Sequence, residues 1–118
     1  RKRINIGLAS ATDIPLDSNT INLAVCTEVL EYIADIDKAL LEIHIILKSG
    51  GIFIISIPNN YCYKYPKKGP HPDHVNNWTF VEFKEFLVKR NLDTIYEGLL
   101  DSINISARKS QLSITSIY

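Results

Sequence analysis

Two short apolar runs, residues 21–26 and 52–57, flank a single amphipathic segment, and this arrangement limits the possible folds more than any other feature of the chain. Apart from Asn22, the first run is apolar throughout, as in strands buried on both faces. Between the runs, Asp35 is a good helix N-cap and Asp37 sits in the first turn. Ile36, Leu40, Ile43 and Leu47 recur at helical spacing, and Ala39 and Ile46 widen that stripe. Lys48 suits the negative end of the helix, and Gly50 or Gly51 is expected to take a left-handed cap. Pro58 closes the second run, because it cannot donate to a strand ladder. Strand, crossover helix, glycine stop and strand make a parallel α/β unit.

The flanking segments read as follows. Residues 3–9 alternate and are rich in isoleucine, which predicts a short strand. Residues 13–20 hold Pro, Asp, Ser and Asn and predict a loop, and a short helical turn is expected over 28–33. Residues 59–78 form a long loop with Tyr61, Tyr63, Tyr65, Trp78, His71 and His74, a composition that suits a binding loop or lid. Thr79-Phe80-Val81-Glu82 matches a capping box, with Phe80, Phe83 and Leu87 as the inward face of the helix it starts. Residues 92–100 and 112–118 read as two strands joined by a polar turn around 107–111. Nothing divides the chain, so residues 1–118 are expected to be one domain.

Thirteen basic residues balance thirteen acidic ones. With no net charge, the chain has no global attraction to nucleic acid or to an acidic membrane. No apolar run approaches the roughly 18–20 residues that span a bilayer. Cys26 sits in an apolar run and Cys62 in a loop; the α/β pattern favours free thiols and a cytoplasmic setting. The chain opens on Arg1-Lys2-Arg3, without a secretory leader, and holds no methionine, so it is expected to begin inside a larger protein.

Asp13-Ile-Pro-Leu, then Ile21-Asn-Leu-Ala-Val-Cys-Thr-Glu-Val-Leu-Glu-Tyr32, resembles the middle of a class I S-adenosylmethionine-dependent methyltransferase. That family often shows Leu-Pro-Phe, a polar turn, Phe-Asp, an apolar strand and Glu-Val-Leu-Glu-His. Ala39 to Gly51 is similar to the family's Ala-Leu-x-Glu-x-x-Arg-x-Leu-Lys-Pro-Gly-Gly, and Ile55-Ser-Ile-Pro-Asn59 resembles the strand end that follows. His74 and Trp78-Thr-Phe-Val-Glu-Phe83 resemble a later histidine, aromatic and helix start. The likeness covers Ser10 to about Asn91.

The resemblance implies a Rossmann-like α/β sheet, mostly parallel with an antiparallel last strand, in the spatial order 3-2-1-4-5-7-6. On that map the chain supplies strands three to seven. It lacks the first two, with the glycine-rich loop that approaches the cofactor and the acid that holds its ribose. Glycines serve in such a loop because only bare backbone can come so close to a ligand. None of the five glycines here stands in such a motif. One edge of the 21–26 strand should therefore be unpaired, apolar and open to another chain or to a missing N-terminal segment.

The family pattern also points to site residues. Ser10 and Ala11 fall where members place an acid and its small neighbour against the adenine, and Thr12 follows. A hydroxyl can still accept one hydrogen bond there, though an ordinary strand-end serine would look the same. Cys26, Thr27 and Glu28 fall at the carboxyl end of the fourth strand, where open α/β sheets bind ligands. Glu28 could equally be a first-turn acid favoured by a helix dipole. Tyr32 stands in place of the family's frequent histidine. Methyl transfer needs a base only when the acceptor must shed a proton, and His71 and His74 are the catalytic candidates. Tyr61, His74 and Trp78 are the candidates for binding the acceptor. His71-Pro-Asp-His74 lacks a third convergent ligand, so no metal site is expected. His44 should lie between the buried and exposed faces of its helix, with no function assigned.

The function implied is methyl transfer from S-adenosylmethionine to a small-molecule, lipid-precursor or sugar-like acceptor, within a longer enzyme. The alternative is a non-catalytic remnant or interaction module that binds no cofactor. A nicotinamide-dependent oxidoreductase shares the strand–helix–Gly-Gly–strand unit but not the Leu-Pro-Phe-like loop.

Overall fold

The computed structural model describes residues 4–59, 73–99 and 102–109. Its elements are β1 (Ile21–Thr27), a 3-10 turn (Leu30–Tyr32), α1 (Ile36–Ile46), β2 (Leu47–Pro58), α2 (Phe80–Val88), β3 (Leu92–Leu99) and β4 (Ser102–Lys109). The sheet order is β1-β2-β4-β3. β1 and β2 are parallel, with Val25 opposite Ile54, while β4 runs antiparallel to both β2 and β3. Three strands thus point one way and β4 the other, which is the 4-5-7-6 half of the expected order.

The crossover helix forms as its residues dictate. The Asp35 side chain accepts from the Lys38 N–H at 3.2 Å, satisfying one of the orphan donors of the first turn. Ala39, Leu40, Ile43 and Ile46 are buried against the sheet. α2 starts on the expected capping box: the Thr79 side chain accepts from the Glu82 N–H, and the Glu82 carboxylate accepts from the Thr79 N–H at 2.8 Å. Trp78, just before the cap, packs its ring 5.1 Å from that of Phe83, a hydrophobic staple that fixes how the chain enters the helix.

Both helices cover the same face of the sheet. Phe53, Ile55 and Ile57 of β2 and Ile103, Ile105 and Ala107 of β4 meet Leu40, Ile43, Phe83 and Leu87 in one core cluster. Each large side chain buried there contributes about 1.5–3 kcal/mol. The other face is open. Leu23 and Val25 are 53% and 60% exposed, so β1 is buried on one face only and not on both as its composition suggested.

Several expectations change. Residues 4–9 form no strand: Ile4, Ile6 and Leu8 are 88%, 92% and 103% exposed. A strand needs a ladder partner, and among the described residues none pairs with this segment. α1 ends at Ile46, and Gly50 does not cap it. Leu47 is already extended, and Gly50, at φ 75°, lies inside β2 where two residues of β1 oppose five of β2. Gly51 is required for space: a Cβ there would lie 2.7 Å from the Lys48 carbonyl oxygen. Ala107 and its neighbours are not a turn but the end of β4, whose 102–109 run buries every second residue from Ile103 to Lys109. The expected strand over 112–118 lies outside the described residues. His44 is not at a boundary; it is 3% exposed.

Candidate functional site

Because β1 and β2 are parallel, α1 must run antiparallel to both. The start of α1, the end of β1 and the 3-10 turn therefore lie at one end of the sheet, where open α/β sheets hold their ligands. The loop 10–20 is tied back along α1 toward this end. Asn19 and Thr20 donate backbone N–H groups to the carbonyls of Ile45 and Ile46, and Ile14 donates to the Glu42 carboxylate at 3.4 Å. Ser10, Ala11 and Thr12 follow along the same path. The Ser10 and Thr12 hydroxyls are 2.8 Å apart, and the Asp13 N–H donates to the Ser10 carbonyl, so this stretch is a tight turn braced by its own hydroxyls.

Glu28 ends β1 in an uncommon state. Its φ is 53°, the left-handed region a non-glycine residue enters at some cost. Its N–H donates to the Ser56 carbonyl at 2.8 Å, continuing the ladder with β2. Its carboxylate accepts from the Ser102 hydroxyl at 2.6 Å, so the first residue of β4 fixes its direction. Cys26 is partly buried, and burial, helped by the nearby Glu31 charge, pushes its thiol pKa up. That keeps the sulfur protonated and a poor nucleophile.

The 3-10 turn is laced to residues 74–76. Val75 and Asn76 donate N–H groups to the Glu31 carbonyl at 2.8 and 3.1 Å. The Asn76 side-chain amide donates to the Leu30 carbonyl at 3.0 Å and also to that of Ile33. His74 Nε2 lies 3.3 Å from the Tyr32 hydroxyl. His74 is thereby held beside the turn that follows β1, close enough to Glu31 for its charge to act there.

Glu31 was not singled out in the sequence, yet it is 2% exposed and its Oε1 has no hydrogen-bond partner among the described residues. Burial pushes its pKa up, and the Glu28 charge adds to this, while its own backbone N–H and the His74 charge oppose it. The only sequence signal was its place in Glu-Val-Leu-Glu, which marks a pattern and says nothing of burial. Asn76 gave no signal at all.

The other candidates fall elsewhere. Trp78 is turned toward α2, with Phe83 at 5.1 Å and Phe86 at 5.3 Å. Tyr61 and His71 lie outside the described residues, as does Cys62. Among the described residues no three of His, Cys, Asp and Glu converge as a metal site would require. No described helix is long and apolar enough to cross a membrane.

The donors and acceptors at this end fit only part of a nucleoside sulfonium ligand. Ser10 and Thr12 are partly committed to each other, and Glu28 to Ser102. The Thr12 N–H is also taken, by the Ser10 hydroxyl, so what remains is one hydroxyl face, the Ala11 backbone and one carboxylate oxygen.

A family model described as "Methyltransferase domain" matches residues 1–55. A protein of Mycolicibacterium smegmatis named "Probable S-adenosylmethionine-dependent methyltransferase" is 26% identical over 86 residues, which cover 72% of this chain and 34% of that protein. Among solved structures, a SAM-dependent methyltransferase from Aquifex aeolicus matches with a TM-score of 0.72 at 17% identity, over 89% of this chain and 54% of that one. The 1,6-didemethyltoxoflavin-N1-methyltransferase of Burkholderia thailandensis, solved with bound 1,6-didemethyltoxoflavin and S-adenosylhomocysteine, matches with a TM-score of 0.69 at 18% identity, over 86% of this chain and 49% of that one. The chain thus spans about a third of the M. smegmatis protein and about half of these two structures. In its sequence pattern, family-model match and sheet order the chain is similar to the class I S-adenosylmethionine-dependent methyltransferases.

Proposed function

We propose that this chain forms part of an enzyme that transfers a methyl group from S-adenosylmethionine to a small-molecule, lipid-precursor or sugar-like acceptor. The observation that carries this reading is the end of β1. There a left-handed Glu28, fixed by Ser102, stands at the end of the sheet where open α/β sheets bind ligands, and the loop that carries the Ser10–Thr12 turn is tied along α1. The non-catalytic alternative is not favoured, because both the family model and the S-adenosylmethionine-dependent relative match this chain.

The sulfonium of the bound cofactor supplies an already reactive methyl group. The chain's own residues then have three tasks. Ser10, Ala11 and Thr12 would hold the adenine side through a hydroxyl and the Ala11 backbone N–H. Cys26, Thr27 and Glu28 would line the ribose and methionyl side, with the protonated thiol inert. Tyr32 and His74 would face the acceptor. Holding an acceptor in line with the methyl group supplies most of the rate, and His74 could take a proton from it where one must be lost. Tyr61 and His71 are proposed as further acceptor-side groups. The remaining cofactor contacts would come from a longer enzyme or a partner. The proposed setting is cytoplasmic, without nucleic acid.

Calorimetry with S-adenosylhomocysteine on the natural full-length gene product tests the proposal. Binding with a Kd in roughly the micromolar range is expected. No heat at concentrations on the order of hundreds of micromolar would contradict it.

A further inference from the structure

Behind the acceptor side of the site lies a carboxyl that the proposed reaction leaves unused. Glu31 is 2% exposed, and its Oε1 has no hydrogen-bond partner among the described residues. Buried polar groups in folded proteins are nearly always paired, and perturbed titratable groups gather at functional sites. Cys26 and Glu28 at the end of β1 and His74 beside the 3-10 turn all couple electrostatically to this carboxyl. Among these three, only His74 can carry a positive charge. Asp73, its exposed neighbour in the chain, is a second carboxylate close to the ring.

The backbone holds the histidine and the carboxyl together. Val75 and Asn76 donate their N–H groups to the Glu31 carbonyl, so the segment that carries His74 is strapped to the residue that carries the carboxyl. On its outer side the ring meets the Tyr32 hydroxyl through Nε2, while its Nδ1 is buried. Exposure therefore falls from Tyr32, at 53%, through a half-buried His74 to Glu31.

We infer that Glu31 is a positioning residue for His74: its buried carboxylate is the counter-charge that lets the imidazole hold a proton passed in through Tyr32. The inference rests on the proposed methyl transfer and deepens it for acceptors that shed a proton. The proton leaving the acceptor moves to the Tyr32 oxygen as the phenol proton moves to His74 Nε2. The electron pair left on the acceptor forms the bond to the methyl carbon, and the pair of the broken carbon–sulfur bond stays on sulfur. The positive charge lost from sulfur reappears on His74, where Glu31 compensates it in surroundings that screen it little.

Nuclear magnetic resonance of the full-length gene product, labelled in its histidine rings, tests this without cofactor or acceptor. The His74 signal is identified by its loss in His74→Gln. Glu31→Gln is expected to lower the His74 titration midpoint by about one pH unit, and Glu31→Asp by less. Tyr32→Phe removes no charge and should move the midpoint less than Glu31→Gln does. Coupling between two sites is reciprocal, so His74→Gln should raise the midpoint of the Glu31 carboxyl, read from labelled glutamate carboxyl carbons. That second titration keeps Glu31 in place and so does not depend on how well Glu31→Gln folds. A His74 midpoint that stays put in folded Glu31→Gln, or a Glu31 midpoint unmoved by His74→Gln, would overturn the inference. Failure of the wild type to bind S-adenosylhomocysteine would instead overturn the proposed function, and these ligand-free titrations tell the two failures apart.

Discussion

His74 meets Tyr32 edge-on, with ring centroids 4.9 Å apart at an interplanar angle of 85° and Nε2 3.3 Å from the phenol oxygen. The contact joins the turn after β1 to a segment more than forty residues further along the chain. The same junction is made more strongly by Asn76, whose side-chain amide satisfies two carbonyls of that turn. Asn76→Ala would leave both carbonyls to find other partners in a part-buried place, at a cost of about 1–3 kcal/mol. Tyr32→Phe removes one exposed hydrogen bond and should cost less than about 0.5 kcal/mol. Urea denaturation of the two variants checks the ranking; a larger loss for Tyr32→Phe would contradict it.

Acid should act on this protein through His44 and Glu31, with opposite signs. Burial, helped by the charge of Lys109, holds His44 below its ordinary value of 6.5. Below that value the unfolded chain binds a proton that the folded protein resists, so stability is lost as pH falls through this window. Both His44 ring nitrogens lack partners among the described residues, which leaves nothing to stabilise the imidazolium. His44→Leu should flatten the loss between about pH 7 and 5.

Glu31 is pushed above its ordinary value of 4.5, so its folded form keeps a proton that the unfolded chain has released. Its contribution therefore improves as pH falls toward 4.5 and is unfavourable at neutral pH. Glu31→Gln is expected to raise the urea midpoint at pH 7 and to lose that advantage near pH 4. A variant weaker than wild type at both pH values would contradict the buried, unpartnered carboxyl.

The glycines should separate cleanly by position. Gly51→Ala brings a methyl group to 2.7 Å from a backbone oxygen that cannot swing away, so β2 must shift and stability must drop. Gly7→Ala meets nothing within 4 Å and should be neutral. Equal melting temperatures for the two variants would refute the tight bulge at the start of β2.

Thr79→Ala removes the side-chain half of the capping box of α2, leaving the bond from its backbone N–H to Glu82, and should cost about 1 kcal/mol, while Thr79→Ser keeps the acceptor and should cost little. Thermal melts of the pair decide this.

Elements whose signals are local were legible in the sequence: the Asp35 and Thr79 caps, the α1 stripe, and the parallel pairing of Val25 with Ile54. Elements whose state depends on a partner were not. Residues 4–9 carry a strand pattern, but among the described residues no ladder partner stands beside them. Gly50 has the freedom that a helix cap uses, but it spends that freedom in a strand bulge. The alternation in β4 was overlooked because Ser, Asn, Arg and Lys between its isoleucines resemble a turn. At the site, Glu28 could be placed from its position after β1. Its left-handed backbone and its bond to Ser102 could not, since they arise from packing between residues far apart in sequence.

The central claim is that a nucleoside sulfonium binds where β1 ends. Ultraviolet crosslinking of methyl-labelled S-adenosylmethionine to the full-length gene product, followed by peptide mapping, tests that claim most directly. Label is expected in peptides containing Ser10–Thr12 or Cys26–Glu28. Label found only outside both stretches, or none that excess S-adenosylhomocysteine displaces, would contradict it.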